Sequence, residues 1–252
     1  MIVSFGGGVQ SHELLAMQVM GQLNADVFVF ANVGDLAENP ATLEYIEKYT
    51  KPFAQKHGIE FVELRKEPAK HQKSDLYLQT IESDRIDIPM RCAGNAAPLR
   101  RTCTVDWKIE VIARAYPGQI RALGISTDEI ERARNTPETI YPLIDANKRR
   151  SDCTSITTVF GLPAPESSEC WFCPWKNMNK WIELKKNRPD LFAKAVEIEK
   201  LKTAQRLGKG KSAVYLSRQG AQRSLFLDQV VPDQILLFES IEPACESGYC
   251  MV

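Results

Sequence analysis

The chain has 252 residues, of which 44% are hydrophobic, 8% aromatic and 25% charged, with 32 Lys and Arg balanced by 32 Asp and Glu. That composition supplies a real core, excludes a disordered chain, and fits one generous domain or one domain with a C-terminal extension. Zero net charge excludes a uniformly basic nucleic-acid binder, no run is apolar enough to span a membrane, and no basic segment precedes an apolar one at the N-terminus, so a cytoplasmic protein is expected.

In chain order, residues 2–5, 27–31, 60–64 and 119–124 read as short strands. Helical patterns fill 11–20 and 41–57 between the first three. Asn39 is placed to cap the second helix, Pro40 sits in its first turn, and Gly58 stops it. This alternation predicts an α/β fold, a doubly wound and mainly parallel sheet with helices on both faces, whose ligands bind at the carboxyl ends of the strands. From 65 to 105 the pattern loosens around Pro68, Pro89, Gly94 and Pro98, as expected of cover over a site or a lid. Helices follow at 106–115, at 153–160 with Asp152 as cap, and at 177–187 and 190–207 on either side of Pro189; Val214-Tyr215-Leu216 is a further candidate strand. The expected division is a nucleotide-binding domain over 1–165 and a helical, cysteine-bearing extension over 166–252.

The first strand runs straight into Gly6-Gly7-Gly8-Val9-Gln10-Ser11 and then a helix. Glycines let backbone approach a phosphate closely, and the N–H groups of a helix N-terminus point at it. Three consecutive glycines cost conformational entropy on folding, which favours a phosphate or pyrophosphate site over an ordinary turn. No Gly-Lys-Ser/Thr follows, so this is not a Walker A loop, and Ser11 stands where a dinucleotide fingerprint has its third glycine.

Charge is unevenly placed: 176–223 carries 13 Lys and Arg against Glu183, Asp190, Glu197 and Glu199. Such a segment is either the footprint of a polyanion such as tRNA or DNA, or the solvated faces of two helices. The seven cysteines are Cys92, Cys103, Cys153, Cys170, Cys173, Cys245 and Cys250. In a reducing compartment they point to metal or redox chemistry rather than a disulfide framework. Cys170-Trp-Phe-Cys173 offers two thiolates to one ion or cluster; Cys103 and Cys153 are the candidate partners, with Cys92 in reserve. Four thiolates suit a 4Fe-4S iron–sulfur cluster or structural zinc. Cys153 also reads as a small buried hydrophobe.

Taken in order, four segments resemble the phosphoadenosine phosphosulfate (PAPS) reductase family of the adenine-nucleotide α-hydrolases. They are Ser4-Phe5-Gly6-Gly7-Gly8-Val9-Gln10-Ser11, Arg101-Thr102-Cys103 followed by Lys108, Gly124 to Ala133, and Cys170 to Pro174; the resemblance spans residues 1–185. It implies a Rossmann-like sheet binding ATP or another adenine nucleotide, with Gly6, Gly7, Gly8 and Ser11 on the phosphates and Ser4 and Gln10 in the same loop. Residues from Ala31 through Asn32 to Asp35 would lie near the nucleoside, Gly124 near the loop, and Lys108, Arg101 and Arg132 would be anion ligands, with Lys108 and Arg132 the catalytic candidates. Two departures stand out. Gln10 replaces the acid that ATP-splitting members use to place magnesium, and Cys103 stands alone where cluster-bearing reductases have adjacent cysteines, which leaves Cys153 as the fourth ligand. Cys245 and Cys250, near the C-terminal end, match a thiol that attacks and one that resolves, although the reductases' own Glu-Cys-Gly-Leu-His ending is absent.

Three functions follow from the resemblance. The first is ATP-dependent sulfur transfer to a nucleotide or nucleic-acid acceptor, with a sulfur donor as partner. The second is a sulfonucleotide reductase that releases sulfite and is recycled by a thiol reductant. The third is a nucleotide-binding module with structural zinc and no turnover. A homo-oligomer is the expected assembly.

Overall fold

The computed structural model describes residues 1–232 apart from His71, Asn95 and Asn135. The described residues hold seven strands: β1 (Ile2–Phe5), β2 (Val27–Asn32), β3 (Glu60–Arg65), β4 (Arg91–Cys92), β5 (Arg121–Leu123), β6 (Thr139–Ile140) and β7 (Val214–Tyr215). Five of them form one sheet in the order β3-β2-β1-β5-β6 with every pair parallel, so the chain has the Rossmann-like α/β architecture expected of it. Alternating side chains make two cores. Val3, Phe5, Phe28 and Phe30 pack with Leu14, Leu15 and Met17 of the helix Val9–Val19. Ile2, Val27, Val29 and Ala31 face the other way and pack with Ile112. Both faces of β2 are buried along its whole length, which is why it reads as a continuous apolar run.

Two compact units emerge. The first comprises residues 1–68 and 104–169 and contains the parallel sheet; the second comprises 69–103 and 170–232. The second unit is built on the helix Pro189–Leu207 beside Met178–Asn187, with β4 and β7 pairing antiparallel. Trp181, Phe192, Ala195 and Ile198 are buried there, and Tyr77 lies with its ring centroid 5.4 Å from that of Trp171. Residues 69–103, read from sequence as cover over a site, thus belong with the C-terminal helices as one unit.

Local signals behave as their chemistry dictates. The Asn39 side chain accepts from Ala41 N at 3.1 Å with Pro40 at the first helical position, and Gly58 takes φ +66° after the cap His57. Asp152 differs from expectation. Its carboxylate accepts from Arg149 N at 2.8 Å, closing a short 3-10 turn at Arg150–Asp152. The helix that follows is only Ser155–Thr158, and the N-cap is Thr154. No helix among the described residues is long and apolar enough to cross a membrane.

Candidate nucleotide site at the glycine loop

In the first unit the sheet order reverses direction at β1, the position where parallel sheets of this type open a crevice at the carboxyl ends of their strands. Gly6-Gly7-Gly8 leaves β1 there and enters the helix Val9–Val19. Gly7 has φ +81°, and a Cβ built on it would lie 2.7 Å from Thr42 Cγ2, so only glycine fits. The Thr42 hydroxyl is buried and has no hydrogen-bond partner among the described residues. A Cβ at Gly8 would come within 3.0 Å of Ser168 Oγ. The loop is therefore flanked by the Thr42 methyl and the Ser168 hydroxyl, side chains that sequence reading did not single out. Thr42 lies in the helix Pro40–Tyr45 and Ser168 outside any helix or strand.

The helix start is polar yet buried, because Gln10, Ser11, His12 and Glu13 all lie inside the fold. Three groups converge on the Gly8 carbonyl: His12 N at 3.1 Å, Ser11 Oγ at 2.9 Å and His12 Nδ1 at 2.9 Å. Because a carbonyl only accepts, His12 Nδ1 carries the proton and Nε2 accepts from Thr50 Oγ1 at 2.9 Å. Burial pushes the His12 pKa down to about 4, against a smaller opposing effect of its bond to Gly8, so the imidazole is neutral at physiological pH. Glu13 pairs with Lys148 at 2.5 Å and accepts from Ser155 N and Oγ at 2.9 and 2.7 Å, which fastens the same helix to the 148–155 segment.

Gln10 is committed on both sides of its amide. Its Nε2 donates to Ser126 Oγ at 2.7 Å and Glu129 Oε2 at 2.9 Å, and its Oε1 accepts from Arg150 at 2.8 Å. Arg132, buried, donates to Glu129 Oε2 at 2.5 Å. The Gly124 to Ala133 segment thus meets the glycine loop through Gln10. Gly124 permits the approach, since a Cβ there would lie 3.3 Å from Gln10 C and Ser11 N.

A cavity of about 170 Å³ adjoins the loop, lined by Ser4, Phe5, Gly6, Ala31, Ile109, Ile112, Leu123, Thr139 and Tyr141, with Lys108, Arg121 and Arg134 as its cations. Whole-ligand cavities run to ~300–1,000 Å³, so this one accommodates part of a ligand, with the remainder extending along the loop. Lys108 reaches it from a wide π-type turn, Val105–Ile109, a geometry frequent at functional sites. Its Nζ lies 3.5 Å from Oε1 of the buried Glu38.

Other expected residues fall elsewhere. Asn32 is buried and spans Gly34 N at 2.8 Å, Glu63 at 2.8 Å and Asp35 at 3.1 Å. Asp35 is held bidentately by Arg65 at 2.6 and 2.9 Å, whose guanidinium lowers its pKa. Both residues are engaged in an ion-pair network at the ends of β2 and β3. Arg101 and Cys103 belong to the second unit, where Cys103 N donates to Asp87 O at 2.8 Å. Cys245 and Cys250 lie outside the described residues.

The expected cysteines are divided between the two units, Cys153 in the first and Cys103, Cys170 and Cys173 in the second. Cys170 and Cys173 sit buried in a turn closed by Cys173 N to Cys170 O at 3.0 Å, and Cys92 lies on β4. Cys153 is in the first unit, packed in the apolar core with Leu14, Leu15 and Ile156. Its thiol donates to Arg149 O at 3.4 Å, and burial pushes its pKa up to about 12. In the absence of a metal this placement is that of a small buried hydrophobe. Among the described residues no group of three or more His, Cys, Asp or Glu side chains is placed to hold a metal ion.

Neither a scan against protein-family models nor a search of the curated proteins returned a match for the chain.

Proposed function

We propose that this chain is a PAPS reductase-like enzyme that binds ATP at the glycine loop and carries out sulfur transfer to a nucleotide or nucleic-acid acceptor. One convergence carries the reading. At the carboxyl ends of β1 and β5, a loop that tolerates only glycine, the unpartnered buried Thr42 hydroxyl and an adjoining apolar cavity with Lys108 on its wall occur together. Loop N–H groups and the Ser168 hydroxyl would donate to the phosphates, and the base would enter the cavity. Lys108 would offset charge as it builds on the α-phosphate when an acceptor oxygen attacks it and pyrophosphate leaves. Sulfur from an external donor would then displace AMP from that oxygen's carbon or phosphorus. His12, neutral and bonded to Gly8 O, holds the loop and takes no proton. The test is ATP binding by calorimetry, then pyrophosphate release that depends on a nucleic-acid acceptor.

One observation favours the second reading, a sulfonucleotide reductase. The Gln10 amide is fully engaged and offers no carboxylate for magnesium at the loop. Sulfite release from PAPS, abolished by Cys245→Ser or Cys250→Ser, would select it. ATP binding with neither product would select the non-catalytic module.

A further inference from the structure

In the second unit the helix Pro189–Leu207 runs out into a turn in which Lys211 N and Lys209 N donate back to Arg206 O at 3.0 Å each. Arg206 Nε donates to Ser212 O at 2.8 Å. Against this end lies the 83–86 turn, tied down from beneath by Lys202. That ammonium is fully buried and donates to Ser83 O, to Arg85 O at 3.1 Å and to Gln205 Oε1 at 3.1 Å. Lys209 bridges the rim to Asp84 at 3.0 Å. Between the two walls is a cavity of about 310 Å³ whose charged lining is Arg85, Arg100, Arg206, Lys209 and Lys211 against Asp84 alone.

Helix C-termini attract cations, but the macrodipole presents only about half a negative charge. That, Asp84, and the buried Asp87 that pairs with Arg85 at 2.5 Å leave the lining with a surplus of between two and three positive charges. Arg100 and Lys211 are exposed and make no ion pair among the described residues. No aromatic ring among the described residues lines the cavity, so none there stacks a base. Its chemistry is that of phosphate charge without sequence reading. The surplus also continues along the chain, through the 13 Lys and Arg of 176–223.

We propose that this cavity binds the phosphodiester backbone of a nucleic-acid strand. It rests on the sulfur-transfer reading only for the use of that strand as acceptor, and its test needs no ATP. Anisotropy of a labelled single-stranded oligonucleotide would be titrated with the full chain between about 50 and 200 mM salt. Arg100→Glu/Lys211→Glu should weaken binding ~10-fold or more at the low end, and flatten the log–log salt slope by about 1.4, at ~0.7 for each phosphate that is no longer neutralised. Lys48→Glu/Lys56→Glu makes the same charge change on exposed residues outside both the cavity and the 176–223 segment, and should keep most of the affinity. Equal losses in both double variants, or no binding by the parent chain, would overturn the proposal. Displacement of the strand by inorganic phosphate at equal phosphate concentration would overturn it in favour of a small-anion site. Gly7→Ala should keep oligonucleotide binding; if it loses ATP alone, the two sites are independent, and if the oligonucleotide is lost with ATP, the cavity is not the strand's site.

Discussion

Replacing Gly7 with alanine tests the glycine loop by two separable costs. At φ +81° an L-residue costs about 1–2 kcal/mol. The added methyl also starts 2.7 Å from Thr42 Cγ2, so either the Thr42 side chain or the loop must move, an overpacking cost of ~1–3 kcal/mol. Gly58→Ala isolates the first cost: φ is +66°, and among the described residues nothing lies within 4 Å of the new Cβ. Gly124→Ala isolates the second, with crowding at 3.3 Å and no positive φ. Urea unfolding should rank Gly7→Ala the least stable, by on the order of 2–5 kcal/mol, with Gly58→Ala near ~1 kcal/mol. Calorimetry should show Gly58→Ala binding ATP like the parent chain, and Gly7→Ala at least ~10-fold more weakly, a loss of about 1.4 kcal/mol. Gly7→Ala binding ATP with parental affinity would refute the loop as a phosphate site. Gly58→Ala as damaging as Gly7→Ala would refute the crowding argument.

Buried His12, held near pKa 4 against 6.5 when unfolded, contributes stability that is complete above pH 6.5 and lost as pH falls through 4. The loss amounts to about 3 kcal/mol, and urea midpoints of His12→Gln should show a shallower fall across that window. Glu199 runs the opposite way. Burial raises its pKa to about 7 from 4.5, against the bonds it accepts from Leu216 N and Leu227 N. Its contribution is therefore complete below pH 4.5 and lost as pH rises through 7, and Glu199→Gln should remove that slope; an unchanged slope would refute the burial argument. Cys153, with a thiol near pKa 12, should resist iodoacetamide at pH 8 in the folded protein and react on unfolding; rapid native labelling, read by peptide mass, would contradict the core placement. Iron, acid-labile sulfide and zinc content of anaerobically purified protein should be the same in Cys153→Ser as in the parent chain if Cys153 serves only to fill the core, and a loss of metal in that variant would make Cys153 a ligand.

The sheet was legible because β1, β2 and β3 carry apolar runs of strand length punctuated by Asn39-Pro40 and Gly58, signals that need no tertiary context. β6 was not. Two residues, Thr139 and Ile140, become a strand only because Arg121 and Ala122 are there to pair with them. The glycine loop was legible for the same local reason as the caps. Its supports were hidden, because Gln10, His12, Glu13 and Glu129 have the composition of a solvated helix face and are buried only when the rest of the first unit closes over them. Cys153 reads two ways from sequence, as a ligand or a buried hydrophobe, since a thiol in an apolar core has the same letter as a ligand; its packing with Leu14, Leu15 and Ile156 is seen only in the folded unit.

The pairing of β4 with β7 sets an order of events during synthesis. Arg91 and Cys92 leave the ribosome long before Tyr215 and Val214, their partners. At ~5–20 residues per second the wait is on the order of ten seconds. Over that interval the whole 104–169 stretch is made, so the parallel sheet can close while residues 69–103 are still without the helices they pack with. A chain cut at 165 would keep its five parallel strands and strand that earlier segment, with its apolar side chains, in water. Nascent chains of that length should therefore hold a folded glycine loop and a protease-sensitive 69–103, and the latter should become resistant only after Val214 has emerged.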